Sequence, residues 1–542
     1  MKRLITLVLG AAVAFSAAAQ NWQDGLLFSE NNYIGTARGV GMGNALTAVG
    51  GDAGSLTFNP AGSAVASYSQ FFITPGLSFS ALRSEGTEAS PDYDADPFTT
   101  NFARFKVPNV GFIMNYDRGR RSGWKSFAFG FAVNGTNDYT SRFNSAGVNF
   151  DNSYAASLAT SALGFSADDL GSGDWFYTGD PARMPSWAAM TGFRSGMFNT
   201  VNEEDGNYVA LTEVLDDDGN IRIAAPLYQQ YGRQITGHKS DIIFNFAANY
   251  NDVLYLGANM GVVALSYNMA EYWKEEPNNP SEFPAIEYSD GSSATFNSLL
   301  MKRSFSASGG GLYLKAGVLW RPIAGLRVGA AIQTPTLMDI TERYGYLGSV
   351  DLGGKSTQPI PSAEDEWRYS ITSPARYNFG LAYSFGSLAL VSVDYELANM
   401  GGIRYSSYSS NSDNSYFDDV NADINAFLGL SHQLRAGVEV KPIPALALRA
   451  GFNYITSGDK NLDFAKTNYS LGLGYSSGGP FFMDFAVRLR RVDGEYLTPY
   501  FYYKEADGGH FYDKVVDADV LTPEVHVTST LADAMLTLGW RF

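Results

Sequence analysis

From about residue 68 to the last residue, apolar and polar side chains alternate with period two in one segment after another. Such alternation describes a strand whose two faces meet different surroundings. In the final segment Ala534, Leu536, Leu538, Trp540 and Phe542 share one face, while Asp533, Thr537, Gly539 and Arg541 share the other. Phe481, Met483, Phe485, Val487 and Leu489 oppose Asp484, Arg488 and Arg490 in the same way. Short turns are expected near 117–123, 251–252, 322–325, 385–387, 442–445 and 476–480. They exchange with long polar stretches near 83–102, 141–233, 269–300, 346–366, 406–424, 458–466 and 504–524. A soluble sandwich also alternates, but regular exchange of short and long connections belongs to a membrane-spanning barrel with an even strand number. After Gln20 no apolar run is long enough to cross a bilayer as a helix. In lipid every backbone N–H and C=O needs a partner, so a spanning sheet must close on itself. The expected fold is therefore all-β, a transmembrane antiparallel barrel of about fourteen strands.

Residues 1–19 read as a secretory signal. Lys2 and Arg3 form the charged start, Leu4 to Ala14 a short apolar core, and Ala17-Ala18-Ala19 the small residues before Gln20. Cysteine is absent, which excludes a disulfide scaffold, a thiolate metal site, a cysteine nucleophile and a lipidated N-terminal cysteine. The formal net charge of −17 argues against nucleic acid as a partner. Solvated external loops account for the acidity. The final Phe542 closes a strand and resembles the C-terminal aromatic signal read by outer-membrane assembly machinery.

Residues 20–67 break the pattern. They lack period-two alternation, are rich in Gly and Ala, and precede the first strand. A segment placed there can fold back into the lumen as a plug. Within it run Gly35-Thr36-Ala37-Arg38, Gly41-Met42-Gly43, Asp52-Ala53-Gly54-Ser55 and Asn59-Pro60-Ala61-Gly62. In order and spacing these resemble the FadL/TodX family of outer-membrane transporters for long-chain fatty acids and aromatic hydrocarbons. Looser likenesses continue at Lys106-Val107-Pro108-Asn109, Leu326-Arg327-Val328-Gly329, Ser373-Pro374-Ala375 and Asp394-Tyr395-Glu396. The resemblance implies a fourteen-stranded barrel with an N-terminal hatch, in which Arg38, Asp52, Asn59, Pro60, Ala61 and Gly62 hold or gate the hatch. A turn at Asn59-Pro60 and a structural ion pair at Arg38 are the plainer reading of the same residues. The resemblance also implies a kinked third strand that opens a lateral exit. Here that strand reads Val133-Asn134-Gly135, without the family's frequent proline, so Gly130, Asn134 or Gly135 would supply the bend.

Strand phase turns Arg327, Arg376, Arg435, Arg449, Arg488 and Arg490 into the lumen. Guanidinium groups there could steady a fatty-acid carboxylate. Asp394, Glu396, Glu439, Asp484 and Asp533 share that phase, and pairing across the interior is the structural alternative. The external stretch 141–233 is unusually apolar for a loop. Trp175, Phe176, Trp187 and Phe193 would either capture hydrophobic ligand or pack as the core of a small cap. The four histidines show no metal-ligand spacing, and no phosphate-binding glycine loop or catalytic constellation stands out.

These observations lead to one expectation: a signal over 1–19, a hatch over 20–67, and a barrel over 68–542 in the bacterial outer membrane. No cofactor, metal or enzymatic chemistry is expected, and the expected work is passive uptake of hydrophobic small molecules. The alternative is a general porin, or a structural surface barrel with a permanent plug.

Overall fold

In a computed structural model the described residues are 21–87, 90, 92–171, 185–201, 206–215, 221–287, 291–355, 357–362, 365–409, 414–460, 465–497, 499–500, 503–504, 519–520 and 523–542. The signal segment 1–19 lies outside them. The wall consists of β1 (Gln70–Gly86), β2 (Phe98–Asp117), β3 (Trp124–Asp138, continued by Ser141–Asn149), β4 (Leu227–Tyr250), β5 (Leu254–Pro277), β6 (Ser298–Ile323) and β7 (Leu326–Gln333, continued by Thr336–Asp351). It continues with β8 (Asp365–Ser373 and Arg376–Phe385), β9 (Ala389–Asn399 and Arg404–Ser407), β10 (Leu430–Ile443), β11 (Leu446–Thr456), β12 (Ala465–Ser476), β13 (Phe481–Leu497) and β14 (Val525–Arg541). Neighbours in sequence pair antiparallel, and β14 returns to β1 from Gln70 opposite Arg541 to Gly86 opposite Val525. This is a closed barrel of 14 strands.

Local chemistry fixes the turns where the sequence placed them. Asn251 and Asp252, at φ 58° and 56°, turn β4 into β5. Asn and Asp tolerate this left-handed conformation better than other side-chain-bearing residues. The outward face of β6 carries Leu312, Leu314, Trp320 and Ile323, 50–60% exposed, while the intervening Tyr313, Lys315 and Leu319 are at most 4% exposed. From Leu312 to Ile323, at about 3.3 Å per residue and a tilt near 40°, the belt is roughly 25–30 Å tall, the height of a hydrocarbon core.

Outside that belt the strands run on. Residues 141–149 extend β3 and residues 227–233 begin β4, so the long external connection is 150–226 rather than 141–233. The expected loops 83–102, 269–300 and 346–366 shorten similarly, to 87–97, 278–297 and 352–364, whereas those expected at 406–424 and 504–524 widen to 408–429 and 498–524. Hydropathy alternation marks only the part of a strand whose outer face meets lipid; beyond it both faces carry polar groups.

Residues 21–67 form short helices, α1 (Trp22–Ser29), α2 (Ala37–Gly41) and α3 (Ser55–Phe58), and a 3-10 turn at Pro60–Val65. They touch lumen-facing positions on strands around the circumference, which places them inside the wall. The wall meets them with glycine. A methyl group on Gly257 of β5 would overlap the backbone of Pro60 and Ala61; one on Gly317 of β6 would overlap Asn59. On Gly329 of β7, Gly437 of β10 and Gly451 of β11 it would overlap Thr47, Met42 and Gly43 respectively. At Gly257, Gly329, Gly437 and Gly451 backbone rests on backbone, and at Gly317 the wall meets the Asn59 side chain.

Gly451→Val should therefore unseat the segment without opening the barrel. An overpacking cost of about 1–3 kcal/mol raises exposure one to two orders of magnitude. Limited proteolysis of residues 21–67, with heat-resistant barrel migration as the folding control, reads this; wild-type protection would contradict the close approach.

Candidate functional site

The hatch motifs hold the hatch together and pin it to the wall. Asp52 Oδ1 accepts from the Thr36 hydroxyl at 2.8 Å and from the Gly54 amide at 2.7 Å. Asn59 Oδ1 accepts from Ala61 N at 3.1 Å, the turn expected at Asn59-Pro60. Its Nδ2 also donates to Thr47 O at 2.8 Å and to Val318 O of β6 at 2.9 Å. Arg38 Nε pairs with Glu439 of β10 at 3.0 Å, and Glu439 is shared with Arg449 of β11 at 2.6 Å. Arg449 in turn reaches Asp484 of β13 at 2.7 Å. Pro60, Ala61 and Gly62 are buried against β4, β5 and β6, where Asn245 Nδ2 donates to Pro60 O at 3.0 Å.

The lumen arginines share a use that phase alone does not reveal: several donate to main-chain carbonyls of the hatch. Arg488 Nη1 donates to Tyr33 O at 3.0 Å, Arg376 Nη2 to Ser29 O at 2.5 Å, and Arg327 to Val49 O. Arg376 and Arg435 also pair with Glu396, and the Arg435 guanidinium lies 4.6 Å from the Phe58 ring centre. Arg490 keeps the inward phase, half-buried, two residues beyond Arg488. Two lysines do the same work. Lys239 Nζ donates to Phe28 O at 2.8 Å, and Lys315 Nζ to Thr57 O at 2.6 Å. The alternation that turned the arginines inward would have turned Lys239 and Lys315 inward too.

Gly130, Asn134 and Gly135 lie on β3 beside the hatch. Asn134 Nδ2 donates to Thr57 Oγ1 at 2.6 Å. Gly135 and Thr136 carbonyls accept from hatch amides Ile34 and Asn32 at 3.1 and 2.7 Å. Opposite β4 the register shifts there, and the strand breaks between Asp138 and Ser141. The ladder between β2 and β3 ends at the pair Asn109–Asn134. Outward of Pro108, among the described residues, β2 pairs with β1 alone. Proline has no N–H to continue a ladder. The result is a seam in the wall, closed by side chains: Arg104 to Asp138 and Thr140, Lys106 to Asp138 at 3.7 Å, and Asn144 Nδ2 to Thr100 Oγ1 at 3.2 Å. Its inner end lies level with Phe105 and Val107, 66% and 47% exposed on the outer face.

At the outer mouth the long connection packs into the barrel. Helices α4 (Tyr154–Ser161), α5 (Ala167–Gly171) and α6 (Trp187–Arg194) share a core with Phe143, Tyr231, Trp273 and Met301 of the wall. Trp187 is only 7% exposed, and Phe193 packs against Phe198 with ring centres 5.7 Å apart. Trp187 is therefore a core residue of a cap, and Phe193 packs half-buried against that core; Trp175 and Phe176 fall outside the described residues. Glu275 Oε1 of β5 accepts from Tyr154 N at the start of α4 at 2.6 Å.

Closed barrel, inward hatch and side seam define a class of fold: a fourteen-stranded β-barrel whose lumen holds its own N-terminal segment. Among solved structures the chain is similar to a Pseudomonas aeruginosa FadL homologue, with TM-score 0.50 and 13% identity over 94% of this chain and 98% of that one. It is also similar to the CymD monoaromatic hydrocarbon channel, with TM-score 0.46 and 11% identity over 94% and 99% of the two chains. For the P. putida toluene transporter TodX the values are 0.46 and 12%, over 95% and 99%. No family model matches the chain, and no curated protein matches it in sequence. At this identity the likeness establishes the fold.

Two outcomes follow. Glu439→Gln should loosen the hatch more than Arg38→Ala, because it strands two guanidinium groups; breaking a buried pair costs about 3–5 kcal/mol. Hydrogen exchange over residues 21–67 checks the order. In the cap, burial pushes the Glu213 carboxyl up to about 7. A carboxyl raised in the folded state adds stability below its unfolded value and loses it as pH rises through the folded one. Corrected for the intrinsic pH dependence of amide exchange, cap protection factors should therefore be higher at pH 5 than at pH 8, and Glu213→Gln should flatten the difference.

Proposed function

We propose that the protein is a passive channel of the bacterial outer membrane for hydrophobic small molecules such as long-chain fatty acids or hydrocarbons, reached after removal of the signal over 1–19. The observation that carries this reading is the side seam between β2 and β3, whose inner end lies level with the exposed Phe105 and Val107 and beside the β3 carbonyls bonded to the hatch. An exit there delivers an apolar ligand into lipid without passage through water. The names of the similar structures, a FadL homologue, a monoaromatic hydrocarbon channel and a toluene transporter, agree with that ligand class.

The energetics suit a long apolar ligand. Turning a hatch that is 1% open into one that is 99% open takes about 5.5 kcal/mol of differential binding. Burial supplies about 0.8 kcal/mol per methylene, so about seven methylenes suffice. The ligand must bind the shifted hatch better than the closed one; tight binding to both moves nothing. Asn32 and Ile34, bonded to the bend of β3, are the direct link between hatch and seam.

The density of hydrogen bonds between hatch and wall favours a second reading, a structural barrel with a permanent plug. The two are separated at the seam. Because the chain has no cysteine, Thr100→Cys with Asn144→Cys introduces a lone pair across it. Oxidation should lower fatty-acid uptake into proteoliposomes several-fold, and reduction should restore it. Unchanged uptake would move the exit elsewhere, and absence of uptake in the wild-type protein would favour the permanent plug.

A further inference from the structure

The outer wall carries a groove of about 530 Å³ across β3 to β7, away from the lumen. Its outward-turned side chains include Arg142, Asn144, Gln234, Tyr272, Lys302 and Ser304. The register fixes their direction: Lys302 follows Met301, which is fully buried in the cap core, and Tyr272 precedes Trp273 of the same core. Gly232 and Ala270 provide the depth, and the Tyr272 ring lies over Gly232, where a methyl group would overlap it. Arg142 is positioned in advance. Its guanidinium donates to Gln234 Oε1 at 3.1 Å and sits 4.9 Å from the Phe102 ring centre.

Charge distinguishes this surface from its surroundings. In a chain of net charge −17, the groove presents Arg142 and Lys302 and, among the described residues, no outward-turned carboxylate. Glu271, the lining residue of opposite charge, turns into the lumen, where it pairs with Arg303 at 3.4 Å. Position adds a second constraint. Ser304 lies eight residues outward of Leu312, the outer limit of the exposed apolar belt on β6, or about 20 Å beyond it. A ligand held there is made of headgroup or solute, not acyl chain.

We propose that this groove binds an anionic, phosphorylated saccharide. Arg142 and Lys302 would meet the phosphates through charge-assisted bonds. Asn144, Gln234 and Ser304 would meet hydroxyls, and the apolar face of Tyr272 would meet the C–H face of a sugar ring. The ligand class does not depend on what passes through the lumen.

The test uses the full chain in lipid nanodiscs, with heat-resistant barrel migration as the folding control. Probes are intact lipopolysaccharide, its phosphorylated core oligosaccharide freed of acyl chains, and neutral maltoheptaose. Arg142→Ala combined with Lys302→Ala should weaken binding of the phosphorylated probes about tenfold or more. Ala270→Trp, which fills the groove without changing charge, should weaken it as well. Binding of intact lipopolysaccharide alone assigns the saccharide to a membrane lipid; binding of both phosphorylated probes assigns it to the glycan in either form. Absent binding, binding indifferent to both variants, or equal binding of maltoheptaose would overturn the proposal.

Discussion

A wall of fourteen strands encloses more space than its own side chains fill. Once β14 pairs with β1, that space has to be water, ligand or chain. The N-terminal segment occupies much of it, and the wall is shaped for the purpose. Glycines on β5, β6, β7, β10 and β11 remove the side chains that would hold the hatch backbone away. Between them, Arg376, Lys239 and Lys315 cap carbonyls at the ends of the short helices, and Arg488 reaches Tyr33 O between two of them. Everything else about the lumen follows from this contact of backbone on backbone.

The hatch is also tied directly to the seam. The β2–β3 ladder stops at Asn109–Asn134, and the hatch takes up the strand's next two carbonyls, those of Gly135 and Thr136. The bend in β3 is therefore satisfied by the hatch rather than by its neighbouring strand. A hatch that moves leaves those carbonyls without partners beside a seam held only by side chains. At the other end the cap fills the mouth with aromatic side chains, Tyr154 stacked on Trp273 at 5.0 Å. The lumen lies between two stoppers of the chain's own making.

The fold was legible in the sequence to the extent that lipid writes on it. Where one face of a strand meets hydrocarbon, alternation is clean, and the inward phase of Asp484, Arg488 and Asp533 is plain from the residues; the structure buries all three. Above the belt that signal fades, which is why residues 141–149 and 227–233 looked like loop and are strand. The hatch motif marked Asn59 and Asp52 but not their partners, because Val318 O is a backbone atom and any residue could supply it. Glycines such as Gly317 and Gly451 read as composition until the hatch is laid against them. Trp187 and Phe193 were visible as apolar residues in an external stretch. Whether such residues face water or each other is decided by helices too short to show a clear period.

The central claim is that the leading segment is a stopper that hydrophobic ligand displaces. Ser63, fully buried and hydrogen-bonded to Asn245 at 2.6 Å, sits where displacement must show. Ser63→Cys would be the sole cysteine of the chain. In membranes, its reaction with a water-soluble maleimide should be slow without ligand and markedly faster with saturating long-chain fatty acid. The same slow rate under both conditions would contradict the account.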